Sequence, residues 1–171
     1  MNELKKFTVE NHGEATWRAV LEMAGIPLKI YLPIAVYDDS EAVGIATAAA
    51  ELLGVAVSDV LFEFGKFTAP NLITMYKTTI DPSWKTEQLL LNTEGTIHKA
   101  VRIQKADARP PKLKFKSLGP GRLHFHYDSE RRMPAVARGI MTGVADHFKE
   151  QIHFVESENE DGSVDFDIKI G

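Results

Sequence analysis

Three groups of residues in this chain could do chemistry. His98 stands in Thr-Ile-His-Lys-Ala-Val, with Ile97, Ala100 and Val101 around it. Tyr127, Ser129 and Arg131 are spaced two apart at the end of the alternating run 122–133. His124 and His126 form a His-x-His pair of the opposite parity in the same run. A lone imidazole in an apolar setting fits a satisfied core histidine. It also fits an axial ligand to an iron, which needs a neutral imidazole carried by a stiff element into a dry pocket. Two hydroxyls and a guanidinium suit a carboxylate, because the arginine fork and the hydroxyls all donate toward an anion. The same three residues also fit a solvated strand end, since charged side chains are mostly exposed. For His124 and His126 no third ligand is in view. A wet outer face of a sheet, beside Lys114 and Lys116, is the simpler reading than a metal site.

The composition removes several alternatives. The chain has 171 residues, 44% hydrophobic and 26% charged, as in ordinary globular domains. Its formal charge of -4 lacks the basic excess of a nucleic-acid binder. There is no cysteine, hence no disulfide frame, thiolate ligand or cysteine nucleophile. No apolar run approaches the roughly 20 residues of a bilayer span, so no membrane insertion is expected. The N-terminal stretch MNELKKFTVENHGE is too charged for a signal peptide, and a cytoplasmic location is expected. Serine-elbow, phosphate-loop and dinucleotide glycine patterns are absent. A hydrolase or transferase built on His98 with Tyr127 or Ser129 has no carboxylate or nucleophile pattern behind it.

The elements that must position these residues fall into two halves. The first half has helical periodicity: a short segment over 2–11, a break at Gly13, and a second helix with Trp17, Val20 and Leu21 ending at Gly25. A proline-containing irregular stretch comes next. Asp39 or Ser40 is then expected to cap one helix and Ser58 or Asp59 to begin another. Pro70 is expected at the start of a further helix, and 84–104 is helical but weakened at Gly95. The second half alternates with period two over 110–117, 122–129, 151–157 and 164–170. One helix from Pro134 interrupts it, with Val136, Ile140, Val144 and Phe148 on one stripe. The expected fold class is α+β, one domain over 1–171. A helical N-terminal subdomain covers about 1–65, and a mixed C-terminal subdomain with a four-stranded antiparallel sheet covers about 66–171.

The order of the motifs carries a resemblance. The chain reads HGEATW, YDDSEAV, ELLGVAVSDVLFEFGKF, TIHKAV, ARPPKLKFK and HYDSER. That series, over essentially the whole chain, resembles the haem nitric oxide/oxygen binding (H-NOX) family, related to the haem domain of soluble guanylate cyclase. The resemblance implies haem b as cofactor and His98 as the proximal iron ligand. It implies that Tyr127, Ser129 and Arg131 hold the propionates and that Pro111 presses on the haem and distorts it. Leu4, Ala69, Leu72, Val136 and Ile140 would form the distal side, with walls from the N-terminal helices and the Val136 stripe.

The resemblance also implies a sensor without turnover. Oxygen-binding members carry a distal tyrosine where this chain has Val136, so an apolar pocket that takes NO, and CO, but disfavours O2 is expected. Thr68 and Tyr76 are the nearby polar residues. In the family's NO sensors, NO weakens or breaks the iron–histidine bond. Release of His98 would then shift the helical part against the mixed part. The implied partner is a signalling protein, fused or in trans: a histidine kinase, diguanylate cyclase, chemoreceptor or guanylate cyclase. Gly95 stands where relatives often carry aspartate, three residues before His98. A second reading is therefore an H-NOX-like domain without haem that acts as a protein-interaction module.

Overall fold

Helix α1 (Asn2–Met23) is two helices meeting at Gly13, whose φ of 86° and ψ of 165° lie outside helical space. A residue without Cβ adopts that φ at no steric cost. The computed structural model describes residues 1–32, 37–104 and 112–171. Helix α2 (Asp39–Leu53) begins one residue before the expected caps: the Asp38 carboxylate accepts a hydrogen bond from the Ser40 N–H at 2.8 Å. Leu4, Phe7, Trp17, Val20, Leu21 and Ile45 are the larger side chains in the core that these two helices share with the start of the next.

That next helix, α3 (Val57–Met75), differs from expectation. Pro70 lies inside it and starts no new helix. Proline cannot donate to the carbonyl four residues back and normally kinks a helix there. In this chain α3 continues through Pro70 to Met75. Helix α6 (Pro134–Phe148) meets α3 through glycines. A Cβ built on Gly143 would stand 2.7 Å from the Lys66 oxygen, the acceptor that Pro70 leaves free, and 2.6 Å from Ala69 Cβ. A Cβ on Gly65 would stand 2.3 Å from the Val136 oxygen, and one on Gly139 2.0 Å from the Phe62 oxygen. The two backbones touch because these positions carry no side chain. Helix α3 also crosses the boundary expected near residue 65. Val60 lies in the first core, whereas Ala69 and Ile73 pack with Leu89 and Val144.

The remaining elements are α4 (Thr86–Asn92), a π-helical turn (Glu94–His98), α5 (Lys99–Gln104), and strands β1 (Lys112–Gly119), β2 (Arg122–Asp128), β3 (Ile152–Glu158) and β4 (Val164–Ile170). The strands form one antiparallel sheet in the order β1-β2-β4-β3. The fold is α+β with a helical N-terminal part and a four-stranded antiparallel sheet, as the periodicity predicts. Alternation decides which face is dry: Leu123, Phe125 and Tyr127 on β2 and Phe166 and Ile168 on β4 are buried. Phe125 stacks between Phe115 and Phe166, with ring centroids 4.2 and 5.5 Å apart.

The Gly139→Ala variant is expected to lose on the order of 1–3 kcal/mol in urea unfolding, because α6 must move off α3 to admit the methyl. Gly44→Ala, whose Cβ would meet nothing within 4 Å, is expected to be neutral or to gain up to about 1 kcal/mol, since alanine is the better helix former.

Glu41, on α2, is a second test of the helical core. Tyr31 donates to its Oε1, and Lys29 Nζ lies 2.9 Å from that oxygen. The Tyr31 hydrogen bond, opposed by burial and helped by Lys29, holds the Glu41 carboxyl below its ordinary range. Folding lowers this pKa, so the contribution is complete above the unfolded value of about 4.3 and is lost as pH falls through the folded one. Glu41→Gln should therefore be less stable than the parent at pH 7, by roughly 1–3 kcal/mol. The two chemical melts should converge as the pH falls through the lowered pKa of Glu41.

Candidate functional site

The segment that carries His98 changes its winding just before it. The His98 N–H bonds the Thr93 oxygen at 2.9 Å, five residues back, closing the π-turn. Thr93 and Thr96 turn their hydroxyls onto the Leu89 and Asn92 oxygens, four residues back, which caps the loosened backbone from the side. Gly95 sits in this turn, so the weakening read from the sequence takes the form of one wide helical turn and not of a break. Such turns add a residue without ending the helix and re-aim the side chains beyond it.

His98, at the end of the turn, faces a cavity of about 380 Å³. Ala69, Leu72 and Ile73 of α3 line one side. Leu89, Leu90, Ile97, His98 and Val101 line another. Leu113, Phe115 and Phe125 come from the sheet, and Ala137, Ile140, Met141 and Val144 from α6. His98 is mostly buried, its side chain 14% exposed. Two other polar side chains reach this wall, Thr93 and Tyr76, and the Thr93 hydroxyl is already spent on Leu89.

One partner of His98 was not legible in the sequence. Nδ1 lies 2.9 Å from Glu94 Oε2. That carboxylate also accepts from the Leu113 N–H of β1 at 3.3 Å, and Arg102 of α5 donates to its other oxygen. Burial opposes ionisation of Glu94, but hydrogen bonds from Arg102, the Leu113 amide and His98 outweigh it and hold the carboxyl below its ordinary range. An acid four residues before a histidine is common on helix surfaces, so its presence alone marks nothing. The available signal was the helical spacing, which puts both side chains on one face.

The other predicted residues divide. Ala69, Leu72 and Ile140 line the cavity with His98. Leu4 belongs to the core of α1 and α2, and the residues lining the cavity come from neither helix. The start of α1 nevertheless lies beside the distal end of α3, where Asn71 Nδ2 donates to Glu3 at 2.8 Å. Val136 sits in the first turn of α6 with its carbonyl against Gly65 and is not among the lining residues. Thr68 donates to the Gly65 oxygen at 2.9 Å and is likewise outside the lining.

Tyr127 is buried on the core face, one strand step from Phe125, and its hydroxyl accepts from the Met133 N–H at 3.3 Å. Strand β2 ends at Asp128, so Ser129 and Arg131 do not continue its alternation. They lie in a turn closed by the Arg132 N–H and the Ser129 oxygen at 3.0 Å. Arg131 Nε donates to Asp39, at the start of α2, at 2.8 Å. A guanidinium has five donors and this pair uses one of them. Pro111 lies outside the described residues.

The outer sheet face is polar, as the alternation predicts. His124 Nδ1 lies 3.0 Å from Asp167 and His126 Nδ1 2.7 Å from Asp165, across the β2–β4 pair. Asp165 is held below the ordinary carboxylate range by hydrogen bonds from Asn159 and His126. Among the described residues no group of histidines and carboxylates could hold a metal ion.

A family model described as haem-NO-binding matches residues 1–156. The chain belongs to this family. As an H-NOX domain it is a haem-based gas sensor, and the family's cofactor is haem. Solved structures share the fold. An H-NOX protein from S. oneidensis in the Fe(II)NO state is 23% identical, with TM-score 0.89 over 99% of this chain and 96% of that one. The Fe(II) unliganded H-NOX protein from K. algicida is 20% identical, with TM-score 0.88 over 99% and 94%. A mutant of the T. tengcongensis H-NOX is 22% identical, with TM-score 0.83 over 99% and 92%. No curated protein sequence matches. The donor set in this H-NOX domain fits the cofactor: one imidazole on the wall of a cavity otherwise almost entirely of carbon suits a flat apolar ring with an axial metal position. Among the described residues no single helix is long and apolar enough to cross a membrane.

Proposed function

We propose that this H-NOX domain binds haem through His98 and senses NO while rejecting O2. The observation that carries the proposal is the cavity, where one histidine stands among aliphatic and aromatic side chains. Haem bound there would supply a ferrous iron able to take a diatomic gas, and His98 would be the residue that holds that iron. Tyr127, Ser129 and Arg131 donate to the propionates, which requires Arg131 to use donors beyond the one on Asp39. The family resemblance assigns contact with the haem to Pro111, which lies outside the described residues. Ala69, Leu72 and Ile140 form the distal wall, and the family resemblance adds Leu4 and Val136, at the start of α1 and α6, to the distal side.

Ligand choice depends on groups that the wall lacks. Bound O2 gains from a hydrogen-bond donor, whereas NO does not depend on one. Thr68 and Thr93 have spent their hydroxyls on backbone carbonyls. Tyr76, at the C-terminal end of α3, is the polar side chain on which O2 rejection turns. A change at His98 is read by a signalling protein, fused or in trans, that prefers one arrangement of the helical part against the sheet. The chain itself performs no turnover, and the whole of 1–171 acts as one sensor unit working in the cytoplasm.

Purified protein supplied with ample haem should show a Soret band. The band should be lost in His98→Ala and restored by added imidazole. A wild-type protein without a band would overturn the proposal in favour of a haem-free interaction module.

Ferrous protein opened to air should show no lasting oxy spectrum. A persistent oxy form abolished by Tyr76→Phe would overturn O2 rejection and identify Tyr76 as the donor.

A further inference from the structure

Glu94 links the π-turn that carries His98 to α5, which continues it, and to the start of β1. Its Oε2 is 2.9 Å from His98 Nδ1 and takes the Leu113 N–H at 3.3 Å, while its other oxygen takes Arg102. We propose that Glu94 is the positioning residue of the haem ligand: its carboxylate fixes His98 with Nε2 toward the cavity and ties that imidazole to β1 and α5. The inference rests on the haem reading above for its consequence, but not for its geometry.

The chemistry is that of a carboxylate behind an imidazole. A neutral imidazole carries one N–H. A carboxylate that can only accept makes Nδ1 the protonated nitrogen and leaves the Nε2 lone pair for a metal. The partner also restrains the ring's orientation, which would favour its bond to iron. The π-turn is what brings the pair together: Glu94 opens it, His98 closes it, and Gly95, with open space around it, contributes no side chain. The carboxylate is held in place by two further donors, Arg102 and the Leu113 amide.

The same carboxylate couples the ligand to the sheet. Any rotation or translation of the imidazole must stretch or move a group that is bonded to the first strand. Leu113 is itself a lining residue of the cavity. Movement of His98 would therefore be felt at β1 and at α5 directly, without passing through the apolar wall.

The test uses Glu94→Ala, which deletes the acceptor, and Glu94→Gln, which keeps an oxygen in place but removes the charge. In the haem-free protein, nitrogen-15 NMR should find His98 in the Nδ1–H tautomer for wild type. The Ala variant should shift toward the Nε2–H form and show faster exchange of the Leu113 amide, and the Gln variant should retain most of the wild-type pattern. In the ferrous haem protein, the iron–histidine stretch should fall in frequency in both variants, more in Ala. Haem loss should quicken by roughly 10- to 100-fold in Ala. An unchanged tautomer and an unchanged stretch in the Ala variant would overturn the proposal. Failure of the wild type to take up haem would instead sink the haem reading, and the tautomer measurement would still decide the role of Glu94.

Discussion

Everything in this fold hangs on how closely α3 and α6 approach. Gly65, Gly139 and Gly143 let the two backbones touch, and a single methyl at any of them would meet a main-chain oxygen within 2.7 Å. That contact fixes the helical half, because α3 begins in the core of α1 and α2. It fixes the sheet half too, because α6 covers the buried face of β2 and β4. The cavity lies where α3 and α6, held together, meet α4, the π-turn and the sheet. Close packing normally removes such voids. Here the apolar lining is kept apart by backbone contact elsewhere, so the void is a product of the packing and not a defect in it.

Polar groups around that void are disposed so that few reach into it. Thr68 and Thr93 bond carbonyls of their own helices, and Tyr127 accepts from Met133. Inside an apolar wall an unpaired hydroxyl costs more than it would in water, which drives such local pairing. His98 and Tyr76 are the exceptions among the described residues, and the exposure of His98 to the cavity is balanced by a charged partner on its other nitrogen.

Much of this was readable from residue order. Period two located all four strands and told the dry face of β2 from the wet one, since Leu123, Phe125 and Tyr127 are buried and His124 and His126 pair with aspartates outside. Gly13 and Pro134 marked a break and a helix start for local steric reasons, and those hold in the fold. Of the residues singled out from the sequence, His98, Ala69, Leu72 and Ile140 line one cavity. The failures are tertiary. Pro70 reads as a helix start until one sees that its unmatched carbonyl partner faces Gly143. The walls were assigned to N-terminal helices that keep their own core. Ser129 and Arg131 look like a strand's continuation because nothing local signals that β2 stops at Asp128. Glu94 looks like a surface acid until the strand that supplies Leu113 arrives beside it.

The link between Arg131 and Asp39 connects the segment after β2 to the first turn of α2, far apart in sequence and both exposed. An exposed ion pair of this kind contributes no more than about 1 kcal/mol, and salt shortens the range over which its charges act to about 8 Å at 0.15 M. The glycine contact between α3 and α6 is backbone against backbone and carries no such dependence. The two tethers between the helical half and the sheet half therefore answer to different variables. Ionic strength slackens the outer one and leaves the inner one taut, so the freedom of the two halves to shift past each other is set partly by the medium around them.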